Sequence, residues 1–240
     1  MSQTTASPRF WAVVPAAGKG ARMGAPLPKQ YLELEGRTIL EHTLQRLLEH
    51  PRLSGVMLVI AADDELWPGL AQRLPALKVV VGGAERCHSV LNALRALAAD
   101  LGPDDWVLVH DAARPCVRAG DISRLIATAS ESGVGGILSI AVRDTLKRAD
   151  AAGFVTETVD RNQVWHALTP QMFRHGELHR ALEAALATGR LVTDDAQAIE
   201  QAGGRVRLVE GSADNIKITR PEDLHLAACF LRAQAEENLS

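Results

Sequence analysis

Short apolar runs alternate with amphipathic stretches along most of this chain, and that alternation limits the fold more than any other feature. "FWAVV" (10–14), "GVMLVIA" (55–61), "KVVVG" (78–82), "WVLVHD" (106–111) and "GGILSIAV" (135–142) are apolar on both faces and have the length of strands. Between them, "TILEHTLQRLLEH" (38–50) puts Leu40, Leu44 and Leu47 on one helical face, and "RCHSVLNALRALAAD" (86–100) does the same with Val90, Leu94 and Leu97. "DISRLIATASES" (121–132) reads as a further helix, and "ELWPGLAQRL" (65–74) as a weaker one interrupted by Pro68-Gly69. Two-sided apolar strands with intervening helices predict βαβ units, a mostly parallel sheet and a three-layer α/β/α sandwich.

The rhythm changes from 143 to 165. Polar and apolar residues alternate there around "DAAG" (150–153), the pattern of two strands about a turn. Both faces are too polar for a core, and an isolated hairpin is only marginally stable in water. The segment therefore predicts a projecting arm that lies on something, with another subunit as the candidate. Helices follow at 176–188 and 194–202, then a strand at 205–210 and a last helix at 221–235 opened by Pro221. With no repeat, low-complexity tract or linker, residues 1–240 read as a single domain carrying this arm.

Bulk composition removes several classes of function. A net charge of -3 argues against nonspecific binding to nucleic acid or an anionic membrane, so any anion site is local. Cys87, Cys116 and Cys229 are widely spaced and form no CxxC pair, which fits a reducing compartment and gives no zinc pattern. The opening "MSQTTASPR" lacks the apolar core of a signal peptide, and no apolar run approaches the roughly 20 residues of a membrane span. The expectation is a soluble cytoplasmic protein.

That local anion site is sought first in "VVPAAGKGARMGAPLPKQY" (13–31). The first strand ends at Pro15 and runs into Gly18, Gly20 and Gly24, with Lys19, Arg22 and Lys29 among or after them. A Walker A loop needs GxxxxGK[ST], which is absent. A dinucleotide fingerprint needs GxGxxG, but Met23 stands where the third glycine belongs, and no acidic residue ends a second strand about 20 residues on. A backbone cradle for a nucleoside triphosphate fits better. Glycines let successive N–H groups approach phosphate oxygens, Arg22 offers a planar fork, and Lys29 brings a point charge whose reach Pro26 and Pro28 limit. The alternative is a solvated turn with incidental cations, Lys19 above all.

Two further segments converge on the same sheet edge. "VHDAARPCV" (109–117) puts Asp111 just past a strand, where ligands bind in α/β sheets, and Arg114 three residues later. A carboxylate beside triphosphate suits Mg²⁺, which takes one or two carboxylates and keeps waters and phosphate oxygens; a cap is the alternative. His110 reads as a packing or orienting group, since no second histidine sits at ligand spacing. "GSADNIKITRPEDL" (211–224) places Asp214 and Lys217 in an expected short strand entering the last helix, with Lys217 in reach of a second anion.

Taken together, "PAAGKGARM", "PKQY", "VHDAARP", "VRDT", "VDRNQVWHALTPQ", "TDDAQAIE" and "EGSADNIKITRPEDL" resemble the 2-C-methyl-D-erythritol 4-phosphate cytidylyltransferases, in order from about residue 10 to about residue 230. Related pentitol-phosphate cytidylyltransferases share parts of the set. The resemblance implies a Rossmann-like sheet of nucleotidyltransferase type and transfer of CMP from CTP to methylerythritol 4-phosphate with Mg²⁺. It implies that Arg22 and Lys29 stabilise the pentacoordinate α-phosphate, and that Pro15, Ala16, Ala17, Gly18 and Gly20 wrap the ribose and triphosphate. Gly83 and Ser89 match the cytosine-reading segment, with Ala84 where many relatives are acidic. Asp111 matches the residue near Mg²⁺, with Arg114, Thr145, Thr169 and Thr193 near the sugar phosphate. Arg161 and Lys217 match the residues that position the substrate phosphate, Arg161 in a partner subunit's site within a homodimer.

The implied chemistry agrees with the residue inventory. The sequence has no suggestive Ser–His or Cys–His pair, and a phosphate monoester with a second pKa near ~6 is already nucleophilic at pH 7. Such a reaction needs two polyanions held in line and charge stabilised as it develops.

Overall fold

The computed structural model describes residues 7–18, 27–74 and 77–237. The elements run β1 (Phe10–Pro15), β2 (Glu33–Leu34), β3 (Arg37–Thr38), α1 (Ile39–Leu48), β4 (Gly55–Ile60), α2 (Trp67–Ala71), β5 (Lys78–Val81) and α3 (Arg86–Leu97). They continue with β6 (Trp106–Val109), α4 (Ala119–Ser132), β7 (Gly136–Ala141), β8 (Leu146–Ala149), β9 (Val155–Val159), β10 (Trp165–Arg174), α5 (His175–Ala187), α6 (Asp195–Gln201), β11 (Arg207–Glu210) and α7 (Glu222–Glu237).

Seven strands form one sheet in the order β11-β7-β10-β6-β1-β4-β5. All pair in parallel except β10, which runs antiparallel to both β6 and β7. Period-two side-chain direction splits each strand between two layers. Ala12 and Val14 of β1 face α1 and α4, packing with Leu40, Leu44, Ile122 and Leu125. Val13 faces the other way, against Val90 and Leu94 of α3 and Leu178 and Leu182 of α5. The mostly parallel α/β/α sandwich is therefore as expected. Helix α1 starts where its sequence says it should, because Thr38 and Glu41 form a reciprocal capping box.

Three expectations need correction. Pro68 does not interrupt a helix: α2 covers Trp67–Ala71, and Pro68 sits in its first turn, where the missing N–H is harmless. Strand β10 was not expected. It carries Pro170 in a central position, which normally argues against a strand. The ladder accommodates the proline at a register irregularity between Ala167 and Gln171 that holds the cis Thr169-Pro170 bond. Finally, Asp214 and Lys217 lie in an irregular loop between β11 and α7, not in a strand.

The hairpin is as read from the sequence. Strands β8 and β9 pair only with each other in a separate two-stranded sheet, and most of their residues are exposed. Chain geometry explains where it emerges. Strand β7 ends at Ala141 opposite Trp165, where antiparallel β10 begins. The arm thus leaves and rejoins the sheet at the edge where the parallel strands end.

Candidate active site

Strands β4 and β5 lie on one side of β1, and the chain then returns to place β6 on the other. The crevice beyond β1 and β6 is the topological switch point where open α/β sheets bind ligands. Two hollows open there. One, of about 340 Å³, is lined by the Pro15–Gly18 segment, Lys29, Gln30, Gly83 to Arg86, Ser89, Asp111 and Lys217. The other, of about 230 Å³, is lined by Arg86, Asp111, Arg114, Thr169, Gln171, Thr193, Asp194 and Lys217. Arg86, Asp111 and Lys217 belong to both and form the partition between them.

The loop after β1 is pinned from behind. Ala16 N–H donates to the Val59 carbonyl at 2.8 Å, and the buried Gln30 amide donates to the carbonyls of Ala16 (2.6 Å) and Gly18 (3.2 Å). Because the peptide is planar and trans, a carbonyl turned toward Gln30 turns the next N–H away from it. Across the hollow, Ser89 Oγ accepts the Gly83 N–H at 3.1 Å, which fixes the turn after β5. Gly82 makes the two loops compatible: a Cβ there would lie 2.7 Å from both Ala17 Cβ and Ser89 Oγ. Arg22 and Gly20, and with them Lys19, lie outside the described residues.

Asp111 sits at the centre of the partition. Its Oδ1 accepts from Arg86 Nε at 3.3 Å, and its Oδ2 lies 3.0 Å from Lys217 Nζ and 3.4 Å from Arg114 Nε. Burial alone would raise its carboxyl, but Arg86, Lys217 and Arg114 together hold it well below the usual carboxylate range. Burial lowers Arg114 from its ordinary value against the pull of Asp111. The loop bearing Lys217 is stitched to this wall. Arg114 Nη1 donates to the Asn215 carbonyl (2.7 Å), Lys29 Nζ to the Ile218 carbonyl (3.0 Å), and Asn215 Nδ2 to the Thr169 carbonyl (2.8 Å).

His110 is fully buried and orients this wall, as its sequence context suggested. Its Nε2 faces the Arg114 carbonyl at 3.1 Å, which can only accept, so the proton sits on Nε2. Nδ1 then accepts the Thr169 hydroxyl proton at 2.9 Å, while Thr169 Oγ1 accepts the Asp111 N–H at 3.0 Å. The Thr169 hydroxyl has thus given its proton to His110 and one lone pair to Asp111. Burial disfavours the imidazolium and pushes His110 down to about 4.

Three contributors, Gln30, Arg86 and Gln171, were not singled out from the sequence. Gln30 holds the first loop. Arg86 reaches from Asp111 to Asp195, donating through Nη2 to Asp195 Oδ2 at 2.8 Å. Gln171 accepts the N–H groups of Asp195 and Ala196 and donates to Asp194, which caps α6. Thr193 is exposed beside that cap, with its N–H on Gln197. Neither Thr145 nor Arg161 lines either hollow. Both are exposed, and Arg161 Nη1 donates to the Arg143 carbonyl within the arm.

The donor set limits what metal could bind. Among the described residues no three His, Cys, Asp or Glu side chains cluster as a metal cage. The partition offers one carboxylate, Asp111, whose oxygens already meet Arg86, Arg114 and Lys217, so a hard cation there would be held mainly by a ligand's phosphate oxygens and water. Among the described residues no helix is long and apolar enough to cross a membrane.

The fold and the site define a class, an α/β protein of nucleotidyltransferase type whose sheet edge gathers Lys29, Arg86, Arg114 and Lys217 around a glycine-bearing loop. Within that class, the chain belongs to the 2-C-methyl-D-erythritol 4-phosphate cytidylyltransferase family, whose profile matches residues 10–233. A relative of that name from Pseudomonas putida is 57% identical over 219 residues, covering 90% of this chain and 93% of its own. One from Aeromonas hydrophila is 56% identical over 232 residues, covering 96% and 93%. A solved 4-diphosphocytidyl-2C-methyl-D-erythritol synthase superposes with a TM-score of 0.84 at 36% identity, over 94% of this chain and all of its own. The Francisella tularensis cytidylyltransferase gives 0.79 at 36% identity, over 92% and 99%.

Proposed function

We infer that this chain transfers CMP from CTP to 2-C-methyl-D-erythritol 4-phosphate, releasing pyrophosphate, as the name of its family describes. The observation that carries the reading is the shared partition. Two hollows, one beside the glycine-bearing loop and one beside Thr169 and Thr193, meet at Arg86, Asp111 and Lys217. A triphosphate in the first and a sugar phosphate in the second would bring their reacting phosphates together at that wall.

In this reading the polyol phosphate is already a dianion near neutral pH, so no general base is required. One of its oxygens attacks the α-phosphorus of CTP, a P–O bond forms, the α–β bridge breaks, and both electrons leave with pyrophosphate. The chain contributes positioning and charge. Arg22 and Lys29 face the α-phosphate, Ala16 to Gly18 and Gly20 cradle the triphosphate after Pro15, and Gly83 and Ser89 read the base. Arg114, Thr169, Thr193 and Lys217 hold the polyol phosphate. Thr169, its proton committed to His110, can accept only from a hydroxyl of the polyol, so the phosphate itself falls to Arg114 and Lys217. Asp111 would hold a Mg²⁺ carried in on the nucleotide, which when bound adds charge neutralisation at the phosphates.

The arm completes the reading. Strands β8 and β9 pair only with each other, a hairpin of that kind is marginal alone, and Phe154 (72%) and Val155 (61%) stand exposed at its tip. We place it on a second copy in a homodimer, where Thr145 and Arg161 reach the partner's polyol-phosphate hollow. The test is pyrophosphate release with four nucleoside triphosphates crossed against several polyol phosphates. CTP with methylerythritol 4-phosphate should exceed every other pair. Equal turnover of ribitol 5-phosphate, or none with CTP, rejects the assignment.

A further inference from the structure

Arg86 is the residue whose placement the reaction itself does not explain. It opens α3, three residues after Gly83, where the positive end of the helix disfavours a cation. Its side chain turns into the partition and spans two carboxylates from distant segments: Asp111 after β6, at 3.3 Å, and Asp195 in the first turn of α6, at 2.8 Å. The Asp195 side chain is 1% exposed, and its Oδ1 has no partner among the described residues. Arg86 is therefore the side chain that meets that buried carboxyl, whose pKa burial raises and Arg86 pulls back down. A lysine has one point charge and cannot present two fixed N–H directions to two carboxylates, whereas a guanidinium can.

We propose that Arg86 is a positioning residue that couples the two substrate half-sites, joining the nucleotide-side loop to the polyol-phosphate wall through Asp111 and Asp195. The proposal rests on the function inferred above. One side of the bridge is covalently continuous with the Gly83–Ser89 turn that lines the nucleotide hollow. The other ends at Asp195, two residues from Thr193, in a segment that Gln171 already ties to β10. A nucleotide held against the turn holds Arg86 in its bridging arrangement, and Arg86 in turn keeps Asp111 and the start of α6 as the second ligand requires. By linkage the effect is reciprocal: each substrate raises the affinity for the other by the same factor.

The test uses the full-length protein and a CTP analogue with a non-scissile α,β-methylene bridge, and measures the Kd for methylerythritol 4-phosphate with and without the analogue. In the wild type the analogue should tighten that Kd by roughly 5-fold or more, the lower end of ordinary allosteric coupling. In Arg86→Lys and in Asp195→Asn the enhancement should fall below about 2-fold, and in Asp195→Asn, whose side chain lines neither hollow, the Kd of the analogue alone should shift by less than about 3-fold. The double variant should match the single ones, because both break one bridge. Variants that keep the enhancement overturn the proposal, as does a wild type without it. Parallel loss of both ligands with a lowered thermal midpoint would make Arg86 merely structural and also overturns it. Turnover of CTP and methylerythritol 4-phosphate by the same wild-type preparation separates the two levels: with turnover present, a failure falls on the Arg86 bridge alone, and without it the functional reading fails and takes the bridge with it.

Discussion

The wall around Asp111 and the arm around Arg161 use similar residues in opposite ways. In the wall, Arg86, Arg114 and Lys217 converge on one carboxylate, and each lies within 3.4 Å of it. The loops of Arg114 and Lys217 are cross-linked by side-chain bonds to backbone carbonyls, so their geometry is set before any ligand arrives, and Arg86 adds the link to the nucleotide-side turn. In the arm, Arg161 and Thr145 are exposed and line neither hollow. The wall is preorganised by its own chain, which is how electrostatic catalysis avoids reorganisation during the reaction. The arm presents its groups outward, where the proposed homodimer would set them against a second copy.

The largest effect should come from disarming the wall. Lys29→Ala should lower kcat by ~10²–10³-fold, the usual loss when a donor to developing charge is removed, with a much smaller change in the Kd for CTP. Steady-state kinetics beside equilibrium CTP titration would check it. A kcat near the wild-type value would remove Lys29 from the chemistry and leave it as a tether for the Ile218 carbonyl.

The arm yields the next effect, and it separates the two regions most sharply. Arg161→Ala should raise KM for the polyol phosphate by about 10-fold or more, the loss expected of a charged hydrogen bond to phosphate, while CTP binding stays nearly intact. Mixing it with Lys29→Ala gives heterodimers with one doubly damaged site and one intact site. Activity should return toward about a quarter of the wild-type rate per site if subunits exchange freely, as sharing in a two-fold dimer requires. Exchange without recovery would place Arg161 in its own chain's site and erase the contrast.

The contrast also explains what the sequence made legible. The strands around β1 were readable because burial on both faces leaves continuous apolar runs, and the arm because period-two alternation around "DAAG" survives exposure. Strand β10 was hidden by Pro170, whose accommodation depends on neighbours 30 to 60 residues away in β7 and β6. The loop at 211–220 looked like a strand because Ile216 and Ile218 alternate with polar residues, yet its backbone groups go instead to Arg114, Lys29 and Ala113. Asp111, Arg114 and Lys217 stood out as charged residues just past a strand end or shortly before the last helix. Arg86, Gln30 and Gln171 did not, since each works through partners distant in sequence. The one local sign was an arginine at the first position of α3, against the helix dipole.

A smaller effect tests how firmly the wall is built. His110 has a folded-state pKa of about 4 against 6.5 in a free side chain. Between those values the unfolded chain binds the additional proton, so stability rises with pH through this window and is lost as pH falls from about 6.5 toward 4. The slope from this one group approaches about 1.4 kcal/mol per pH unit in mid-window. Urea unfolding at pH 7 and pH 5 should show the difference, and His110→Asn should flatten it. An unchanged slope in the variant would mean that other groups carry the pH dependence.

The smallest effect should lie on the arm, at the ion pair between Arg148 of β8 and Glu157 of β9. Both side chains are more than half exposed, at 66% and 53%. Such a pair gains little Coulomb energy in water and must fix two long side chains, so its contribution is about 0.2–1 kcal/mol at most. For a domain of this size that corresponds to a shift in thermal midpoint of about 2–4 °C or less. Glu157→Gln should therefore leave the midpoint nearly unchanged at high protein concentration. Any effect should appear on dilution, as weaker dimerisation in sedimentation, because removing water from the arm at an interface would strengthen the pair and leave Arg148 unpaired in the variant. A large midpoint loss at all concentrations would show that the arm is stabilised within one chain. The difference between a self-sufficient wall and a partner-dependent arm would then be one of exposure alone.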